Sequence, residues 1–170
     1  MELEYPLVTQ IAQQLVQELQ CSIQYRTMSI RAAQLGWSIL AEHFDREAEE
    51  EMEHFSAIRS FLDRRRARYS LGELAINSTE FTTVREALDL QKQLERQATE
   101  ALKTLHKLCH DYRDVPATRL CDDLLLSQVD SEDRAQEMID IYMGIAGGDD
   151  STFLRYLELQ RLARLTKASL

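Results

Sequence analysis

Apolar residues recur every three to four positions along four long stretches of the chain, and each stretch predicts an α-helix. The first stripe runs through Val8, Ile11, Leu15, Glu18, Cys21 or Ser22, Tyr25, Ser29 and Ala32 to Gly36, with Pro6 where a first-turn proline is tolerated. The second, Leu40, Phe44, Ala48, Phe55, Ile58 and Leu62, ends in Arg64, Arg65, Arg66 and Arg68, cations that suit the negative end of a helix. The short join at Leu35-Gly36-Trp37 predicts that these two helices lie antiparallel as a hairpin. The third stripe is Val84, Leu88, Gln91, Glu95, Ala98, Leu102, Leu105, Cys109 and Tyr112. The fourth is Leu120, Leu124, Gln128, Ser131, Ala135, Met138 and Tyr142, opened by Asp114 as a cap and Pro116 in the first turn. Gly147-Gly148 closes it, and Asp149, Asp150 or Ser151 caps a shorter final helix carrying Phe153, Leu154, Leu157 and Leu162. The expected helices cover 6–35, 38–66, 82–111, 115–146 and 151–165.

Between the second and third helices, the segment from Ala67 to Glu80 lacks a helical period and contains Gly72 and Asn77-Ser78. At about 3.3 Å per residue such a loop spans a bundle from end to end, which predicts a crossover joining two hairpins. The expected architecture is all-α, a four-helix bundle in one domain over 1–170. With five Gly and two Pro in 170 residues, the composition suits helices better than a turn-rich sheet.

The formal net charge of −9 disfavours nucleic acid and anionic lipid as partners. Cys21, Cys109 and Cys121 form neither a CxxC pair nor an even set, so no disulfide framework or zinc knuckle is expected. No apolar run approaches about 18 residues, and MELEYPLVTQ lacks a basic segment followed by an apolar one. A cytoplasmic protein with no membrane contact is the expectation.

Each long stripe is broken near its midpoint by a group that can hold a metal: Glu18, Glu51 with His54, Glu95, and Gln128. Glu51 and His54, three residues apart, turn through about 300° and project from nearly one face. An unpaired carboxylate among apolar neighbours costs several kcal/mol, so Glu18 requires a partner. The acidic run Glu47, Glu49, Glu50 and Glu53 likewise calls for something positive. Oxygen donors with one imidazole suit iron or manganese, and a shared carboxylate can bridge two ions. Gln128 reads equally as a weak ligand or a backbone-bonded amide. Tyr25, on the Glu18 stripe, reads either as plain core or as a phenol reaching a carboxylate. His43, His106 and His110 show no partner at helical spacing and are expected at the surface.

QELQCSIQY, EEEMEHF and LERQATEAL resemble the ligand-bearing motifs of ferritin and bacterioferritin subunits, and the likeness covers nearly the whole chain. It implies a ferritin-like bundle with a short fifth C-terminal helix, in which Glu18 is a terminal ligand with Tyr25 nearby. Glu51 becomes the bridging carboxylate, His54 a terminal ligand and Glu95 the third-helix ligand. On the fourth helix, bacterioferritins carry a second Glu-x-x-His where this chain reads Gln128-Val129-Asp130-Ser131, a pattern closer to iron-oxidising animal-type ferritins. The implied centre is therefore asymmetric: Glu18, Glu51 and His54 at one iron, and Glu51, Glu95 and Gln128 at the other. A shift of register would substitute Glu132 or Asp133 for Gln128, but both fit the stripe less well. Glu50 and Asp130 match an additional iron position of some bacterial ferritins. Met52 matches the haem-ligating methionine of bacterioferritins, although haem-free relatives share EEM and packing between subunits is the preferred reading.

The resemblance implies a ferroxidase that oxidises Fe(II) with O2 or H2O2 and stores iron in a shell of 24 self-associated subunits. The alternative of another kind is a shell subunit without a working centre, possessing a structural role beside an active partner. A rubrerythrin-like oxidase lacks support because no rubredoxin-like cysteine knuckle is present, and a DNA-protecting mini-ferritin fits less well with an internal site and a fifth helix.

Overall fold

A computed structural model describes residues 4–76 and 79–168, with side chains through residue 163; Asn77 and Ser78, cited above as loop formers, lie outside the described residues. Five helices follow one another: α1 (Tyr5–Gln34), α2 (Ser38–Arg64), α3 (Val84–Asp111), α4 (Val115–Gly144) and α5 (Asp150–Ala168). No strand occurs among the described residues. α1 packs mainly on α2 and α3 on α4, and α1 also meets α3.

Local chemistry sets each turn. α1 ends where the Trp37 amide donates to the Ala32 carbonyl at 2.9 Å and the Gly36 amide to Ala33 at 3.0 Å. This reversal needs a left-handed residue, and Gly36 has φ of 80°. Thr83 opens α3 with a reciprocal capping box to Glu86. Asp114 accepts from the Ala117 amide at 3.0 Å, capping α4, and Asp149 accepts from the Thr152 amide at 2.7 Å at the start of α5.

The core divides into two apolar clusters. Leu7, Ile11 and Leu15 of α1 share one with Ile58 and Leu62 of α2, Leu102 and Cys109 of α3, and Cys121 and Leu124 of α4. Tyr25, Met28 and Ala32 share the other with Leu40, Phe44, Val84, Leu88, Ile139 and Tyr142. α1 and α4 therefore run one way and α2 and α3 the other. A parallel α2 and α3 need a connection along the whole bundle, about 40 Å for a helix of this length. That connection begins with Ala67 and Tyr69 against the first cluster and ends with Phe81 buried in the second. The Arg31 side chain donates to the Phe81 carbonyl at 3.0 Å, fastening the far end. α5 closes one end of the bundle through Phe153, which meets the Tyr142 ring edge-on at 5.5 Å.

The fourth stripe is rotated slightly from its expected course. Cys121 and Ile139 are buried, while Leu120 and Met138 sit half-buried at its edges. Positions 117, 121, 124, 128, 131, 135, 139 and 142 keep the 3.6-residue period over this length, whereas 120 and 138 lie about 60° from its centre.

Candidate metal centre

The residues that interrupt the four stripes fall between the two apolar clusters, at mid-depth in the bundle. Glu18, Glu51, His54, Glu95 and Gln128 are all buried there. Glu18, Glu51 and His54 bring one ligand atom each within 4.8 Å of one another, the sole such group of three among the described residues. His54 Nδ1 lies 3.4 Å from Glu51 Oε2 and 3.8 Å from Glu18 Oε2. These same three atoms have no hydrogen-bond partner. Donors about 2.1 Å from one ion stand roughly 3 to 4 Å apart, so the spacing and the orphaned atoms together fit a bound cation.

The imidazole is aimed from behind. His54 Nε2 is 3.0 Å from Ser127 Oγ, and that hydroxyl donates its proton to Glu50 Oε1 at 3.1 Å. Ser127 must then accept from Nε2–H, which turns Nδ1 toward the two carboxylates. Gln14 donates to Glu18 Oε1 at 2.7 Å and fixes the other side of that carboxylate.

Glu95 is held differently. One of its oxygens accepts from the Tyr25 hydroxyl and the other from the Gln128 amide. Gln128 also donates to the Glu95 backbone carbonyl at 3.3 Å, and its own Oε1 has no partner. Glu95 thus adjoins the three-residue cluster without entering it. The alternative register positions do not take Gln128's place: Glu132 is half-buried and bonds Thr99, and Asp133 is exposed.

The charges are strongly interdependent. Burial pushes the Glu51 carboxyl well above the usual carboxylate range, opposed by the nearby His54 imidazole and reinforced by the Glu18 charge. Burial also pushes on Glu18, but the neighbouring His54 and Glu51 and the hydrogen bond from Gln14 hold it below its ordinary value. For His54, burial disfavours the cation, yet the Glu18 and Glu51 carboxylates raise it to about 10. Burial lifts Glu95 to about 7 despite the Tyr25 hydrogen bond, with Glu47 adding repulsion. The Tyr25 phenol is pushed well up by burial and by Glu95.

Several side chains take partners that their sequence positions do not predict. His43, expected at the surface, is buried, with Nε2 3.0 Å from Gln91 Oε1 and Nδ1 3.7 Å from Glu47 Oε1. It falls on the inward face beside Phe44, and its i,i+4 spacing to Glu47 was the available signal. His106 is half-buried, 2.9 Å from Asp122, and His110 is exposed. The positive charge that the acidic run calls for is Arg134, 2.5 Å from Glu50 Oε2 and 3.4 Å from Glu47 Oε2. Ser127 and Arg134 had no legible signal, because both lie off the apolar stripe. Glu50 is shared by Ser127, Ser131 and Arg134, Asp130 is exposed, and Met52 is 36% exposed on α2. An open cleft of about 530 Å³ reaches His54 and Ser127 from the surface, lined by Glu49, Glu50, Glu53 and Asp123 with Arg46.

An up-down bundle with one long crossover and a carboxylate–imidazole cluster inside defines a class, the helical bundles whose cores carry groups able to hold a metal ion. The family model described as Ferritin-like domain matches residues 8–142, and the chain belongs to the ferritin family. No curated protein matches the chain in sequence. No helix among the described residues is long and apolar enough to cross a membrane.

Proposed function

We propose that this chain is an iron-storage subunit with ferroxidase activity, which oxidises Fe(II) inside the bundle and passes Fe(III) as mineral into a shell of 24 subunits. The observation that carries this reading is the convergence of Glu18 Oε2, Glu51 Oε2 and His54 Nδ1 as buried ligand atoms with no other partner. Glu18 and His54 are terminal ligands, and Glu51 is the carboxylate shared with a second, weaker position at Glu95 and Gln128. Tyr25 anchors Glu95 by its hydroxyl. Fe(II) arriving along the acidic cleft meets His54 in its lining, and each ion gives one electron to O2 or H2O2. Binding requires His54 to surrender the proton that its carboxylate neighbours favour, which couples ion uptake to proton release.

A second reading, a subunit that mineralises iron slowly without a fast centre, draws on one feature. Both Glu95 oxygens are occupied by protein donors, and α4 offers Gln128 and Ser131 where a further carboxylate and histidine would complete the set. Stopped-flow oxidation of stoichiometric Fe(II) separates the readings. The proposed ferroxidase shows a fast phase that saturates at about two irons per chain and falls at least about tenfold in Glu51→Ala and in His54→Ala. Equal initial rates in wild type and both variants would sink the assignment, and a wild type with no fast phase would leave the slow subunit.

A further inference from the structure

Arg134 projects from α4 one turn beyond Ser131 into the seam with α2. Its guanidinium touches Glu50 Oε2 at 2.5 Å, Ser131 Oγ at 3.0 Å and Glu47 Oε2 at 3.4 Å. Glu47 and Ser131 are buried, with relative exposures of 6% and 3%. Two carboxylates and a hydroxyl form an oxygen-rich cradle of the kind that hard divalent ions favour. Here the cradle closes on a charge that belongs to the chain. The cradle adjoins the candidate centre, because the other Glu50 oxygen accepts from Ser127, the hydroxyl that holds His54.

We propose that Arg134 is a specificity-determining residue, a tethered cation that fills the Glu47–Glu50–Ser131 cradle and bars divalent metal ions from it. A guanidinium neutralises two nearby anions without exchanging with solvent ions, so metal is confined to the Glu18, Glu51 and His54 side of the seam. Arg134 also explains how Glu47 stays buried: one of its oxygens faces the guanidinium, while the other stands 3.7 Å from His43 Nδ1. The functional meaning of this device rests on the metal-binding reading given above, but the occupancy of the cradle is measured separately.

Calorimetric titration with Co(II), a divalent probe that is not oxidised by air in this setting, tests the proposal by counting ions per chain. Arg134→Met is expected to bind one more Co(II) than wild type, and Arg134→Lys, which keeps the charge, the same number as wild type. Adding Glu50→Gln to Arg134→Met is expected to abolish the extra ion. Arg134→Gln is titrated in parallel, so that poor folding of the methionine variant does not remove the readout. Equal counts in wild type and the two neutral variants overturn the role assigned to Arg134. Glu51→Ala reports on the neighbouring centre alone: a wild-type count unchanged by that variant defeats the Glu18–Glu51–His54 reading and leaves the Arg134 comparison intact.

Discussion

Ser127 illustrates how a residue that never touches a ligand atom governs one. Its single proton goes to Glu50, so His54 must donate from Nε2 and present Nδ1 to the carboxylates. Supports of this kind are worth about 10- to 100-fold in metal affinity. Ser127→Ala is therefore expected to weaken Co(II) binding at the cluster by roughly that factor, read by calorimetry; unchanged affinity would show that the hydroxyl does not set the ring. Glu95 yields a pH prediction. Its folded value of about 7 exceeds the ordinary 4.5, so the folded chain binds this proton more tightly than the unfolded one. Its contribution favours folding below about pH 4.5 and is lost as pH rises through about 7. In metal-free protein, wild type should lose on the order of 3 kcal/mol relative to Glu95→Gln between about pH 5 and pH 8. Parallel denaturation curves at the two pH values check it, and an unchanged difference would mean that Glu95 titrates normally. The Glu18, Glu51 and His54 types were legible in the sequence because each breaks an apolar stripe. Their hydrogen-bonding supports were not, since polar residues beside a stripe look like solvated surface until a neighbouring helix covers them.

At the scale of elements, a two-point ion pair joins the end of α2 to the start of α4. Asp114 caps α4 and receives Arg65 through both oxygens, at 3.0 and 2.7 Å. The contact ties the end of α2 to the start of α4, elements separated in sequence by the crossover and all of α3. Asp114→Ala removes a cap worth about 1 kcal/mol and a partly buried, doubled ion pair worth about 1 to 3 kcal/mol. The expected loss is about 2 to 4 kcal/mol, a fall in melting temperature of several degrees by calorimetry; a shift below about 1 °C would show the latch to be idle. Asp114 as a cap, Gly36 as a stop and the crossover were each readable from local sequence. The partner of Arg65 was not: the arginine run looked like decoration of a helix end, and only the bundle's closure brings Asp114 to it.

At the scale of the molecule, the crossover exposes Leu71, Leu74 and Ile76, at 38%, 41% and 50%, along one short segment. Exposed apolar residues gathered in this way mark contact surfaces. If they help build the proposed shell, sedimentation velocity should find the wild type as a large uniform assembly, and Asp at all three positions should shift it to smaller species. Wild type sedimenting as a single 19.7 kDa chain would end the shell proposal. The sequence by itself determined the helical period, the stops, the long connection and the polar interruption in each stripe, because these depend on residues three or four positions apart. The tertiary structure decided which interruptions meet. It gathered Glu18, Glu51 and His54, gave Glu95 to Tyr25 and Gln128, buried His43 and set Arg134 between Glu47 and Glu50. Those outcomes depend on how far each helix is rotated against its neighbours, a quantity that the packing of two apolar clusters sets and no single stripe encodes.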